Sequence, residues 1–158
     1  MDTQYVDIMI QCLEKKEKVL EQIIRANKRQ AIGLEDPKFT PDQFDETVDE
    51  KDRLIKQLEQ LDNGFEKLFD RMKEELNNNK ELYSDKIKRM QELIKSITDK
   101  SVEIQTQEAR NKNLMMQKFA SIKTKARNVR KGTAAVNKYY QSMAKLNFVD
   151  PQFMDNKK

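Results

Sequence analysis

The side chains in this sequence that are clustered closely enough to suggest chemistry are carboxylates, six of which fall in one short run. Asp45 and Asp49 are four residues apart, so on a helix they would share one face and could bind a divalent cation. The ligand spacing and glycine of a calcium-binding EF-hand loop are missing, whereas carboxylates near a helix N-terminus are favoured by the helix dipole. The pattern therefore favours capping and solvation over a metal site. The run comprises Asp42, Asp45, Glu46, Asp49, Glu50 and Asp52.

Histidine, the commonest general base and metal ligand, is absent from the 158 residues. Its absence excludes Ser-His-Asp triads, the usual zinc sites and helical Glu-x-x-His di-iron sites. Cys12 is the single cysteine, so it has no partner for an internal disulfide and suits a reducing compartment. We therefore expect a protein that is not an enzyme and that holds neither a metal nor a cofactor.

The composition favours long helices rather than a thick globular core. Apolar residues make up 37% of the chain and charged residues another 37%, which suits helices that each bury one stripe. No apolar run approaches the roughly 18 residues needed to cross a bilayer. The acidic N-terminus also lacks the basic and apolar regions of a signal peptide. These features predict a cytosolic protein with no membrane insertion.

Apolar residues recur at three- and four-residue intervals and predict three helices at about 3–31, 41–76 and 80–143. Gly33 suits a left-handed stop after the first helix. The start of the second is marked by an N-cap Thr40, a first-turn Pro41 and a capping-box Gln43, with a phenylalanine on either side. A break is expected at residues 77–79, which are three asparagines. Polar residues interrupt the stripes at Glu17, Asn27, Ser101, Glu108 and Asn111.

The predicted helices form an elongated, all-α antiparallel bundle or coiled-coil hairpin, in one domain with a tail at 147–158. At 1.5 Å per residue, the second and third helices would measure roughly 54 Å and 96 Å. With a turn near Asn78, Phe44 would lie level with about Lys112, and residues from about Phe119 would project beyond the second helix. The first helix could fold back beside the hairpin or pair with the overhang. The broad stripe of Leu54, Leu61 and Leu68 favours the folded-back bundle.

Charge is divided unevenly along the chain. Residues 109–149 include ten Lys and Arg and neither Asp nor Glu. Such a basic arm could be a solvated helix face, or it could bind nucleic acid, an acidic protein or another copy of the chain. Nucleic-acid binding has little further support, because no known DNA- or RNA-binding motif is present. A structural coiled-coil adaptor that forms a homodimer through the overhang is the main alternative to a partner-binding protein.

The layout of three helices with a short proline-containing connector, and above all residues 49–66 (DEKDRLIKQLEQLDNGFE), resembles the FlgN-type flagellar export chaperones in their clostridial form. The resemblance implies a cytosolic protein that binds hook-filament junction proteins (FlgK- and FlgL-like). It would prevent their premature assembly and escort them to the type III export gate. It also implies client binding by the C-terminal helix and gate docking through an aromatic residue, for which Tyr139 and Tyr140 are the candidates.

The unequal lengths of the hairpin arms indicate where a client would bind. The third helix beyond about Met115 carries apolar residues at helical spacing that the chain's own helices are not expected to cover. The predicted client-binding residues are Met115, Phe119, Ile122, Ala126, Val129, Val136 and Met143. The tail at residues 148–154, with two phenylalanines and a proline, could cover this stripe or be recognised by a partner.

Overall fold

The structure, a computed structural model, describes residues 2–120 as three helices. Helix α1 spans Asp2–Glu35, α2 spans Pro41–Asn78 and α3 spans Ser84–Phe119. No strand occurs in this part of the chain. The prediction of an all-α bundle of three helices is confirmed, and the part of the expected third helix beyond Ala120 lies outside the described residues.

Side-chain pairs between the helices show that α1 folds back beside both partners. Residue numbers fall along α2 as they rise along α1, so these two helices are antiparallel, whereas numbers on α1 and α3 rise together. The α1–α2 pairs are Lys16–Asp62 at 2.7 Å and Arg29–Glu50 at 2.9 Å, and the α1–α3 pairs are Glu14–Arg89 and Asn27–Gln107, both at 3.1 Å. The folded-back arrangement is the one present.

The turn between α2 and α3 occupies residues 79–83, a few residues later than expected. Asn79 ends α2, because both its backbone N–H and its side-chain amide donate to the Glu75 carbonyl, at 3.1 and 2.9 Å. Tyr83 then turns into the core, where it is 3% exposed, and its hydroxyl lies 3.2 Å from the Glu75 carboxylate. Burial of this aromatic ring overrides the poor helix propensity of the asparagines and places the turn.

The later turn changes the register of the hairpin. Phe44 packs edge-to-face against Phe119, with ring centroids 6.0 Å apart, instead of lying level with Lys112 as expected. The start of α2 and the end of the described part of α3 are therefore at the same level. The expectation that the overhang begins at Phe119 is wrong, because Phe119 packs inside the bundle.

The start of α2 follows the predicted capping pattern. The Thr40 hydroxyl accepts from the Gln43 N–H at 3.2 Å, and the Gln43 side chain accepts from the Thr40 N–H at 2.9 Å. Pro41 occupies the first turn, where its missing N–H leaves no hydrogen bond unmade. Phe39 and Phe44, on either side of the cap, pack into the same apolar cluster.

Gly33 does not stop α1 with a left-handed residue, because no glycine in the described residues has a positive φ and the helix continues to Glu35. The glycine serves packing instead. A Cβ atom at this position would lie 2.7 to 2.9 Å from three ring atoms of Phe39. Gly33 therefore allows the Phe39 ring to lie directly on the last turns of α1.

The interior contains one large apolar group of residues from all three helices, which we call the main cluster. An ion pair joins α1 to α2 beside this cluster: the buried Lys16, 3% exposed, donates to one oxygen of the half-buried Asp62 at 2.7 Å. The other Asp62 oxygen is buried without a hydrogen-bond partner in the described residues, and burial raises the pKa of this carboxyl although Lys16 opposes the shift. The main cluster comprises Val6, Met9, Leu13, Val19, Leu20, Ile23, Ile24, Ile55, Leu58, Phe65, Met72, Leu76, Tyr83, Met90, Leu93, Ile97 and Ile104.

Candidate functional site

A second, smaller apolar cluster closes the end of the bundle where α1 ends and α2 begins. We call it the distal cluster. Phe39 and Leu114 are half-buried at its edge. Because all three helices contribute to it, any movement of α3 away from α1 and α2 at this end would expose apolar surface. Its buried members are Leu34, Phe44, Val48, Met115 and Phe119.

A layer of buried polar side chains separates the distal cluster from the main cluster. At its centre, the Lys51 ammonium donates to both Glu108 oxygens at 2.8 and 2.7 Å. Their side chains are only 3% and 1% exposed. Lys51 also donates to the side-chain oxygens of Asn27 at 3.1 Å and Gln30 at 2.9 Å. We call the set the polar layer; it consists of Asn27, Gln30, Lys51, Gln107, Glu108 and Asn111.

Side-chain amides extend the polar layer between α1 and α3. Asn27 donates to the Gln107 oxygen at 3.1 Å, and Gln107 donates to the Ile24 carbonyl at 3.3 Å. Asn111 donates to the Asn27 carbonyl at 2.9 Å and to the Gln30 oxygen at 3.0 Å. The Asn111 oxygen is itself buried without a partner in the described residues. The layer therefore ties the three helices together and leaves one polar atom unsatisfied, which costs stability.

Burial dominates the electrostatics of the polar layer. Desolvation lowers the pKa of the Lys51 ammonium, and the opposing effects of Glu108, by charge and hydrogen bonding, and of Glu50 are smaller. At this depth, the attraction between the two charges offsets only part of the free energy that they lose with their hydration. The layer is thus a place where water can enter at lower cost than in either apolar cluster.

The connector between α1 and α2 lies beside the last described turn of α3. The Lys118 ammonium donates to the Asp36 carbonyl at 2.6 Å and lies 5.9 Å from the centroid of the Phe119 ring. Because α1 ends at Glu35 and α2 begins at Pro41, these two helices provide no further residues beyond this level. The distal cluster is therefore the last place where α3 can pack against them.

The structure places two of the predicted client-binding residues inside the bundle. Met115 is 0% exposed and Phe119 is 2% exposed, so their side chains do not form the open stripe that was expected. The physical reason is the register of the hairpin, which brings Phe44 level with Phe119. The remaining predicted residues lie outside the described part of the chain: Ile122, Ala126, Val129, Val136 and Met143, together with the docking candidates Tyr139 and Tyr140.

Sequence reasoning missed the pairing at the centre of the polar layer. Lys51 occupies a stripe position of α2, three residues after Val48 and four before Ile55, and this gap was the available signal. Asn27, Glu108 and Asn111 were recognised as interruptions of their stripes. Nothing in local spacing could pair Lys51 with Glu108, because they are 57 residues apart.

Within residues 2–120, two further kinds of site are absent: a cluster of metal ligands and a membrane-spanning segment. No three acidic or sulfur-containing side chains converge there in a way that could hold a metal ion, and this includes the acidic run at the start of α2. None of the three helices contains a segment long and apolar enough to cross a membrane.

Comparison with known proteins assigns the family. A protein-family model described as FlgN protein matches residues 1–147. The chain belongs to the FlgN family. FlgN is a chaperone family of flagellum biogenesis, so at the family level this chain is a flagellar export chaperone. No curated protein and no solved structure matches the chain. The family match includes all three helices and ends before residues 148–154, which belong to the predicted tail.

Proposed function

We propose that this FlgN protein binds the terminal helices of hook-filament junction proteins in the cytosol. It prevents their premature assembly and delivers them to the export gate. FlgN chaperones act on flagellar export substrates in general, which supports the proposal at the family level. Junction-protein termini would be amphipathic segments that fold on binding, and an apolar helix stripe gives them a surface on which to fold.

The observation that carries the proposal is where the bundle ends. Helix α2 extends only three residues, Pro41 to Gln43, beyond Phe44, which packs level with Phe119, and α1 ends at Glu35. The sequence nevertheless continues with Ile122, Ala126 and Val129 at the spacing of a helix stripe, inside the range matched by the family. We propose that a client helix packs against this continued stripe, in the role that α1 and α2 have within the bundle. Val136 and Met143 extend the same surface.

Binding to a recombinant C-terminal segment of a junction protein from the same bacterium tests the proposal. Val129→Asp introduces a charge into the proposed stripe, and we expect at least a tenfold loss of affinity in calorimetry. Val102→Asp is the matched control, because Val102 is 57% exposed on the outer face of α3. Equal binding by the parent, Val129→Asp and Val102→Asp proteins would refute the proposed stripe.

Delivery to the export gate has a separate test. We propose that Tyr139 and Tyr140 contact the gate, so Tyr139→Ala/Tyr140→Ala should keep the client affinity and lose capture by the gate component. Loss of both activities would assign the tyrosines to the client surface instead. Sedimentation of the parent protein addresses the homodimer alternative. A tight dimer that no client dissociates would favour a structural adaptor.

A further inference from the structure

The polar layer divides the interior into two parts of very different size. The main cluster contains seventeen buried apolar residues, whereas the distal cluster contains five. The smaller cluster is formed by residues 31–50 and 112–119, which we call the distal segment. Apolar burial is the main source of stability in such a bundle, so the distal segment is held much less strongly than the remainder.

Opening at the polar layer is also favoured by its charges. Lys51 and Glu108 lose most of their hydration in the closed bundle, and water entering from the distal side would restore part of it. The Asn111 oxygen, which has no hydrogen-bond partner among residues 2–120, would gain one at the same time. Beyond the layer, however, further opening would expose the main cluster. The layer is therefore the position at which local opening should stop.

We propose that the distal segment opens as one cooperative unit, up to the polar layer, and that the open state presents Phe44, Met115 and Phe119 to an amphipathic client helix. The opening is a property of the free chain, and its use for client entry rests on the proposed function. It explains how Met115 and Phe119 can belong to a client surface although both are buried when the bundle is closed.

Native-state hydrogen exchange of the full chain in low urea tests the opening without any client. We expect amides of the distal segment to exchange at least tenfold faster than those of residues 52–76 and 87–107, and to share one urea dependence. A single opening free energy for the whole bundle would overturn the proposal. Independent fraying of each helix end, with a different urea dependence for each, would also overturn it.

Two matched variants sharpen this test, because Val48 and Val19 are 5% and 7% exposed and lie in different clusters. Val48→Ala removes two methyl groups from the distal cluster and should speed exchange throughout the bundle by about tenfold. Val19→Ala removes the same groups from the main cluster, which stays packed when the distal segment opens. It should speed exchange of the main-cluster amides and leave the distal segment unchanged. Equal acceleration everywhere by both variants would indicate one cooperative unit and refute the proposal.

Client affinity tests the second half of the proposal separately. If a client binds the open state, the larger open population of Val48→Ala should tighten binding of a junction-protein peptide by up to about tenfold, with no change for Val19→Ala. Equal affinities of both variants would refute entry through the distal segment. Absence of binding even to the parent would refute the proposed function, while the exchange result would still decide whether the segment opens.

Discussion

Removal of the Glu108 carboxylate should be among the most destabilising single changes in the described bundle. In the parent the Lys51 side chain is 3% exposed, and Glu108→Ala would remove the carboxylate that its ammonium contacts most closely while the oxygens of Asn27 and Gln30 remain as acceptors. Breaking a buried ion pair by removing one partner typically costs about 3–5 kcal/mol. Domains of this kind are stable by about 5–15 kcal/mol, so the change would remove a large share of the total.

The folded variant can lose the Lys51 proton instead of burying the charge. The free energy of deprotonation is therefore an upper limit on the part of this cost that comes from the charge. The ordinary pKa of a lysine is 10.5, so deprotonation at pH 7 costs about 4.8 kcal/mol at 1.36 kcal/mol per pH unit. The unfolded state of Glu108→Ala binds more protons than its folded state. Its stability should therefore rise with pH between the lowered pKa of the folded state and 10.5. Burial lowers the Lys51 pKa in the parent too, but the variant lacks Glu108, the strongest effect that raises it, so the variant gains more stability as the pH rises. The deficit relative to the parent should therefore shrink between pH 7 and pH 9.

Urea denaturation followed by circular dichroism at pH 7 and pH 9 measures these effects. Glu103→Ala, at an exposed position of the same helix, is the control and should change stability by less than about 0.5 kcal/mol. Glu108→Gln keeps the shape and one acceptor oxygen, so it should cost less and gives a second measurement if the alanine variant does not fold. Equal midpoints for Glu108→Ala and Glu103→Ala, or a deficit independent of pH, would refute the reasoning.

Three further predictions concern the remainder of the bundle. Burial raises the pKa of Asp62, so the parent loses stability as the pH rises from about 4 through the folded-state pKa. The stability of Asp62→Asn should therefore increase relative to that of the parent over that range, as denaturation at several pH values would measure. The opposite trend would show that pairing with Lys16 dominates. Gly33→Ala should stabilise a Phe39→Ala background by about 1 kcal/mol and the parent by less, because the added Cβ meets the Phe39 ring only in the parent. A double-mutant cycle measures this difference, and additive effects of the two substitutions would contradict it. Thr40→Ala should cost about 1 kcal/mol in urea denaturation through loss of the cap, and an unchanged midpoint would argue against it.

Local signals in the sequence predicted the start of α2 well and the turn before α3 poorly. The cap at Thr40 depends on residues within four positions, so it can be identified from spacing alone. The turn at residues 79–83 depends on burial of Tyr83 among residues distant in sequence, and helix propensity at the asparagines does not report that burial. An error of a few residues in the turn became a shift of about seven residues in the level assigned to Phe44.

The same limit explains what could be predicted of the candidate site. Apolar spacing identified Met115 and Phe119 as stripe residues, but it could not tell whether their partner was a client or the start of α2. The polar layer was visible only as interruptions in three stripes. Its pairing requires the register of all three helices, because Lys51 bridges residues of α1 and α3 at once.

The two buried lysines, Lys16 and Lys51, fix the register between α1 and α2. Lys16 and Asn27 are eleven residues apart on α1, and their partners Asp62 and Lys51 are eleven residues apart on α2. A slip of seven residues in either direction would set Lys51 level with Leu20 or Leu34 and Asp62 level with Met9 or Ile23, so both charges would face aliphatic side chains. Such a slip of α1 against α2 would bury charges without partners, and an insertion between the two charged positions of one helix would keep both pairs only if the other helix lengthened by the same amount.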